Sequence, residues 1–149
     1  MRSCENESIG RLIYKTSQIM RNYAEKLLKP YDLTVEQFHL LKQTSLDNGI
    51  SQNVICQLVE KKPANITRIL DRLEKKKWVK RQPNPSDRRS SLVFLTSEGD
   101  RIIDEVSTLF ESYSGRFVEG ISPGDEDLFR SVLEKINNNL NKLTNEISQ

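Results

Sequence analysis

Apolar residues recur at three- and four-residue steps along most of this chain, and SLVFLT at 91–96, which departs from that period, is short. A 3.6-residue repeat buries one stripe of a helix against its neighbours, so a chain written this way folds as packed helices with room for little sheet. The first stripe, Ile9, Leu12, Ile13, Ile19, Met20, Tyr23, Leu27 and Leu28, predicts one long helix over 6–29, stopped by Pro30. TVEQ at 34–37 has the form of a capping box, and Phe38, Leu40 and Leu41 carry a second helix toward Asp47-Asn48-Gly49. Ser51 is placed to cap a short third helix with Val54, Ile55, Leu58 and Val59, and Pro63 stands where the first turn of a fourth tolerates it. That fourth helix carries Ile66, Ile69, Leu70 and Leu73 on one face.

Two short helices joined by a tight turn, the second of them basic, form a helix-turn-helix candidate. WVKR at 78–81 and SLVFLT have strand composition, and the Pro/Asn/Ser-rich link between them reads as a turn. A hairpin in that place is a wing, with a Pro83/Pro85 turn projecting Arg88 and Arg89 outward. Thr96 is expected to cap a fifth helix that carries Ile102, Ile103, Val106, Leu109, Phe110, Tyr113 and Phe117 on one face and ends at Gly120. Ser122-Pro123-Gly124-Asp125 starts a sixth, whose stripe runs from Leu128 to Ile147. The expected fold is mainly α with a small β-hairpin. In one domain of residues 1–149 it sets a winged helix-turn-helix lobe at 34–98 against terminal helices at 6–30 and 99–147. A helix of about 24 residues extends about 36 Å, longer than the core of such a domain needs. Its unbroken apolar face therefore predicts dimerisation through the terminal helices.

Charge narrows the function. The whole chain carries +2, but residues 61–89 hold eleven Lys and Arg against three acids, a net of +8. Such asymmetry suits a polyanion-binding surface. The two cysteines, Cys4 and Cys56, match neither a disulfide scaffold nor a clustered zinc site, so no metal or cofactor is expected. No apolar run approaches the roughly 20 residues that span a bilayer, and the first ten residues lack a signal peptide's apolar core. The expected setting is cytoplasmic, away from membranes.

The order of elements, together with NPSDRRSSLVFLT at 84–96, resembles the MarR family of winged-helix transcriptional regulators. The family signature, an Asp-x-Arg in the wing followed by a strand and Leu-Thr-x-x-Gly, is met by Asp87, Arg89, Leu95, Thr96 and Gly99. ANITRILDRLEKKKWVKRQPNPSDRR is similar to the family's recognition helix and wing, and IGRLIYK through LTVEQFHLL to its first two helices, so the likeness covers about residues 8–145. It implies a homodimer that binds double-stranded DNA at a palindromic operator as a repressor. It also implies that Arg89 enters the minor groove and that Asp87 braces an arginine by an ion pair.

The residues themselves suggest which groups face DNA. Ala64, small enough for close approach, leads the outward face of the fourth helix into a major groove; Asn65 and Thr67 can hydrogen-bond bases or phosphates, and Arg68 can grip guanine. Lys61, Lys62, Ser51 and Asn53 are placed to meet phosphate. Lys75, Lys76 and Lys77 are assigned instead to the helix macrodipole. An enzyme would need converging titratable groups, and the single histidine, His39, reads as a packing residue. A winged helix reserved for protein contacts has no need of the basic window.

For regulation, the resemblance implies either a small aromatic or phenolic effector bound between the dimer helices and the DNA lobe, or an oxidant sensed by a first-helix cysteine. Gly10 occupies that cysteine's position, Cys4 lies outside the helix, and Cys56 reads as a small buried thiol, so ligand sensing is preferred. Candidate pocket residues are Tyr14, Phe38, His39 and Phe110, with Arg72 and Arg81 as anion partners.

Overall fold

Hydroxyl side chains fix where helices begin in the computed structural model, which describes residues 7–59 and 61–148. Ser8 Oγ accepts from the Arg11 amide at the head of α1 (Ile9–Leu28). The helix expected from residue 6 thus begins three residues later, with Glu7 and Ser8 outside it, and Cys4 lies outside the described residues. Thr34 and Gln37 form the reciprocal capping box of α2 (Val35–Leu46), at 3.1 and 3.2 Å. Ser51 caps α3 (Gln52–Leu58), and Ser122 caps α6 (Pro123–Ile147). Between them lie α4 (Pro63–Lys75), with its proline in the first turn, and α5 (Ser97–Ser114). Pro30 continues past α1 as one 3-10 turn, Lys29–Tyr31. The fifth helix ends at Ser114, short of Gly120, and gives way to a second such turn, Gly115–Val118.

The expected hairpin is a three-stranded antiparallel sheet: β1 (Ile50–Ser51), β2 (Val79–Asn84) and β3 (Asp87–Leu95), in the order β1-β3-β2. β1 escaped sequence reading because two residues carry no period; it exists through its pairing, Ile50 with Val93 and Ser51 with Leu92. Pro83 belongs to β2 opposite Ser91 rather than to the turn. An edge strand tolerates its missing N–H.

The chain divides into two compact units, Met1–Ser107 and Thr108–Gln149. The first holds the core: Leu28, Leu41, Ile66, Leu70, Leu73 and Val106 are fully buried, with Val93 of the central strand among them. On α3 only Ile55 is buried; Val54 and Leu58, expected inside, share a different face at i, i+4 and are 40% and 55% exposed. In the second unit no residue of α6 is buried.

The Leu-Thr-x-x-Gly segment closes the first unit. Thr96 Oγ1 accepts from the Gly99 amide at 3.0 Å, capping α5, and donates to the Lys77 carbonyl at 2.6 Å. A Cβ at position 99 would lie 1.9 Å from the Trp78 carbonyl oxygen, so only glycine lets α5 approach the end of α4 this closely.

Candidate nucleic-acid interface

Burial of Ile66, Leu70 and Leu73 orients α4 and leaves Ala64, Asn65, Arg68, Asp71 and Arg72 exposed. Lys62 stands exposed at the N-cap position, and Lys61 before it is half-buried. These positions agree with the outward face read from the sequence. Thr67, half-buried on the flank of that face, already has internal partners. Its hydroxyl donates to the Pro63 carbonyl at 3.0 Å and accepts from Gln52 Nε2 at 2.8 Å, so its one proton is committed within the protein.

The helix ends in a paired-bond cap: the Lys77 amide donates to the Glu74 carbonyl and the Trp78 amide to that of Leu73. Lys77 takes the left-handed conformation there (φ 60°), outside the helix, and so leaves the macrodipole role assigned to it. Lys76 pairs with Asp32 at 2.9 Å and lies 4.6 Å over the Trp78 ring.

The wing is built around an irregularity. Pro83 pairs with Ser91, yet the next residue, Asn84, pairs with Asp87, so Arg88, Arg89 and Ser90 bulge from β3 without ladder partners. Ser90 turns inward and is buried, while Arg88 and Arg89 are exposed. Two side-chain turns hold the tip: Asn84 Oδ1 accepts from the Ser86 amide at 3.0 Å, and Asp87 Oδ1 from the Arg89 amide at 2.9 Å. Asp87 thus braces the backbone of Arg89 instead of pairing with an arginine side chain. Its other oxygen accepts from Asn53 Nδ2 at 3.3 Å, which gives one of the two Asn53 amide protons an internal partner. The Ser51 hydroxyl is occupied as an acceptor by the Val54 amide, 3.3 Å away.

At the wing's base, Arg81 is not an open anion partner. Its Nη2 lies 2.6 Å from both Asp71 Oδ1 and Glu74 Oε2, and its backbone amide donates to Glu74 Oε1 at 3.2 Å. These Arg81 hydrogen bonds hold the Glu74 carboxyl below its ordinary value. The result fastens the edge strand to α4.

Of the remaining pocket candidates, Arg72 and His39 line separate clefts of the first unit. Arg72 lines an open cleft of about 800 Å³ with Arg21, Lys29, Lys75 and Lys76. His39, exposed rather than packed, lines a separate one of about 390 Å³ with Leu58, Lys61 and Ile69. Phe38 is half-buried, its ring 6.1 Å from that of His39. Tyr14 is 65% exposed on α1, and Phe110 is half-buried in the second unit. Cys56 is half-buried rather than enclosed, and burial pushes its thiol up, against thiolate formation. Among the described residues no group of three His, Cys, Asp or Glu could hold a metal, and no helix is long and apolar enough to cross a membrane.

The model of the MarR family matches residues 33–91, from the start of α2 into β3. The multiple antibiotic resistance protein MarR of Escherichia coli is 35% identical over 101 residues, 68% of this chain and 70% of that protein. The chain belongs to the MarR family. Members are transcriptional regulators that bind DNA, not enzymes. A mutant of E. coli MarR complexed with operator DNA superposes with a TM-score of 0.79 at 29% identity, over 86% of this chain and 92% of that one. The S. aureus MepR–DNA complex shares the fold, with a TM-score of 0.84 over 90% of this chain and 99% of its own, at 23% identity. The Leu-Thr-x-x-Gly of the MarR resemblance thereby gains a physical meaning: Thr caps α5, and Gly admits the Trp78 backbone. Sequence reasoning missed Gln52, Glu74 and Asn48, whose Oδ1 accepts from the Leu95 amide at 2.9 Å. Each acts through a partner distant in sequence, which no local pattern announces.

Proposed function

We propose that this MarR-family chain is a ligand-responsive repressor that binds a palindromic operator as a homodimer, with α4 in the major groove and the wing arginines in the adjacent minor groove. The observation that carries the reading is the exposed set Ala64, Asn65 and Arg68 on the face of α4 opposite its buried stripe, together with the exposed Arg88 and Arg89 on the bulge. Arg68 reads a guanine edge and Asn65 a neighbouring base. Lys61, Lys62 and the Ser51 hydroxyl, which still has a proton to donate, meet phosphate. Residues 34–98 form the DNA lobe, and the helices within 6–30 and 99–147 form the dimer. Support for the dimer comes from uncovered apolar side chains: Ile9 and Ile19 on α1 are 66% and 69% exposed, and Leu128 and Phe129 on α6 are 63% and 61%. Isolated in water, such stripes need a partner, and a second copy supplies a self-complementary one.

Effector control is supported by the open cleft beside α4, where Arg72, Lys75 and Lys29 offer positive charge to a small aromatic anion, on a lining that also carries Glu25, Asp32 and Glu36. Binding there would favour a dimer whose recognition helices are wrongly spaced, in proportion to its preference for that form. Selection from random duplex DNA, followed by mobility shifts across a salt series, tests the whole reading. The expected result is an inverted repeat with half-sites about 10 bp apart or a multiple of it, bound with a steep negative salt slope. An enriched site without dyad symmetry, or binding indifferent to salt, would refute it.

A further inference from the structure

Gln52 and Asn53 are neighbours in the first turn of α3, yet their side chains serve different DNA-facing elements. Gln52 Nε2 donates to Thr67 Oγ1 on α4, at 2.8 Å. Asn53 Nδ2 donates to Asp87 Oδ2 at the wing tip, at 3.3 Å. The turn that carries both is itself anchored: Ser51 pairs with Leu92 in the sheet, and Ile55, one turn on, is fully buried. At the wing tip the ladder resumes only at Asn84–Asp87, and the adjoining buried residue is the small Ser90. Beyond Pro83 the β2–β3 ladder is irregular, and Pro85, Ser86, Arg88 and Arg89 are all exposed.

We propose that Gln52 and Asn53 are positioning residues that hold the recognition helix and the wing tip at one fixed separation, so that α4 and Arg89 enter neighbouring grooves together. This rests on the DNA-binding reading above and assigns Asn53 a role other than phosphate contact. The physical gain is preorganisation. An arm free to swing loses conformational freedom when it docks, whereas a tip already held through Asp87, whose other oxygen fixes the Arg89 amide, loses less. Specificity follows because groove spacing and width depend on sequence, and a rigid pair of readers rejects duplexes whose grooves do not match that separation.

The test uses full-length protein and a duplex that the unaltered protein selects from a random pool. Two controls accompany it: the same duplex with its A·T flanks changed to G·C, and a scrambled duplex. Asn53→Asp sets a second carboxylate against Asp87 and opens the clamp. Affinity for the selected duplex is expected to fall about tenfold, the scale of one hydrogen bond to a charged group, and the flank preference to vanish. Scrambled DNA should be bound nearly as before. The melting temperature should not drop, because an acid in the first turn favours the helix. Combining Asn53→Asp with Asp87→Asn restores a donor–acceptor pair at the original net charge and should return affinity to within about threefold. On the other arm, Gln52→Ala combined with Thr67→Val should cost no more than either change alone.

Equal losses on selected and scrambled DNA, not repaired by the exchange, would make Asn53 a phosphate contact and overturn the proposal. Unchanged affinity and flank preference in Asn53→Asp would overturn it too, and additive losses would remove Gln52 from it. Failure of the unaltered protein to enrich any duplex is a separate result that refutes the DNA-binding reading and the clamp with it.

Discussion

α4 and α6 carry the same apolar period and meet opposite fates. The 13 residues of α4 place Ile66, Leu70 and Leu73 at zero exposure, whereas the 25 of α6 bury none, and its Leu140 and Leu143 stand 54% and 51% exposed. The difference does not lie in either helix. α4 finds its cover within the first unit, and the exposed face it retains is polar; α6 lacks cover within its own unit, and the face it exposes is apolar. A periodic stripe therefore says which side of a helix seeks burial, but not whether the same chain provides the burial. Full burial of a large aliphatic side chain contributes about 1.5–3 kcal/mol, so the uncovered stripe of α6 is a sizeable reserve of binding energy.

The largest expected effect breaks the comparison at α6. Replacing Leu140 and Leu143 together with Lys should weaken the dimer by more than about 3 kcal/mol, since two apolar contacts would each have to accept a charge. Sedimentation equilibrium reads this directly, and an unchanged dimer would mean that α6 is covered by something else.

Next comes the matching change on the covered helix. Leu70→Ala should cost about 2–5 kcal/mol of folding stability, measured by denaturant unfolding at any protein concentration. Leu140→Ala sharpens the contrast. Its cost should appear at concentrations where the dimer is populated and fade on dilution, because a dimer's stability depends on protomer concentration. A cost independent of concentration would show that α6 packs within its own chain.

The smallest effects separate what the two exposed faces are for. Arg68→Ala should cost about 1–3 kcal/mol per half-site on the preferred operator and flatten discrimination at one base position, leaving the dimer intact. Arg89→Ala should weaken all duplexes and reduce the salt slope by about 0.9 for each phosphate that Arg89 neutralises. Equal losses for Arg68→Ala on operator and scrambled DNA would demote it to a phosphate contact and leave Asn65 as the base reader.

Much of the fold was legible because it is local. The Thr34–Gln37 box, the Ser51 and Ser122 caps, the first-turn prolines of α4 and α6, and the Thr96 cap all act within four residues, and sequence displays such spacing openly. The outward face of α4 was legible for the same reason. β1 was not, since a two-residue strand is defined by its neighbour, nor was the bulge that sets Arg88 and Arg89 outward, because register is a property of two strands together.

The roles of individual polar groups were the least legible. Thr67 and Asn53 have the chemistry of DNA contacts, and nothing in their surroundings along the chain reveals that Gln52 and Asp87 already engage them. Arg81 has the chemistry of an anion site, but Asp71 and Glu74 occupy it. The sequence by itself determined most helix caps, the basic face and the family, because each follows from residue type and short spacing. Only the tertiary structure decided which of those polar groups remain available to a ligand, because a hydrogen bond is spent by whichever partner the fold brings within about 3 Å, however far away in the chain it began.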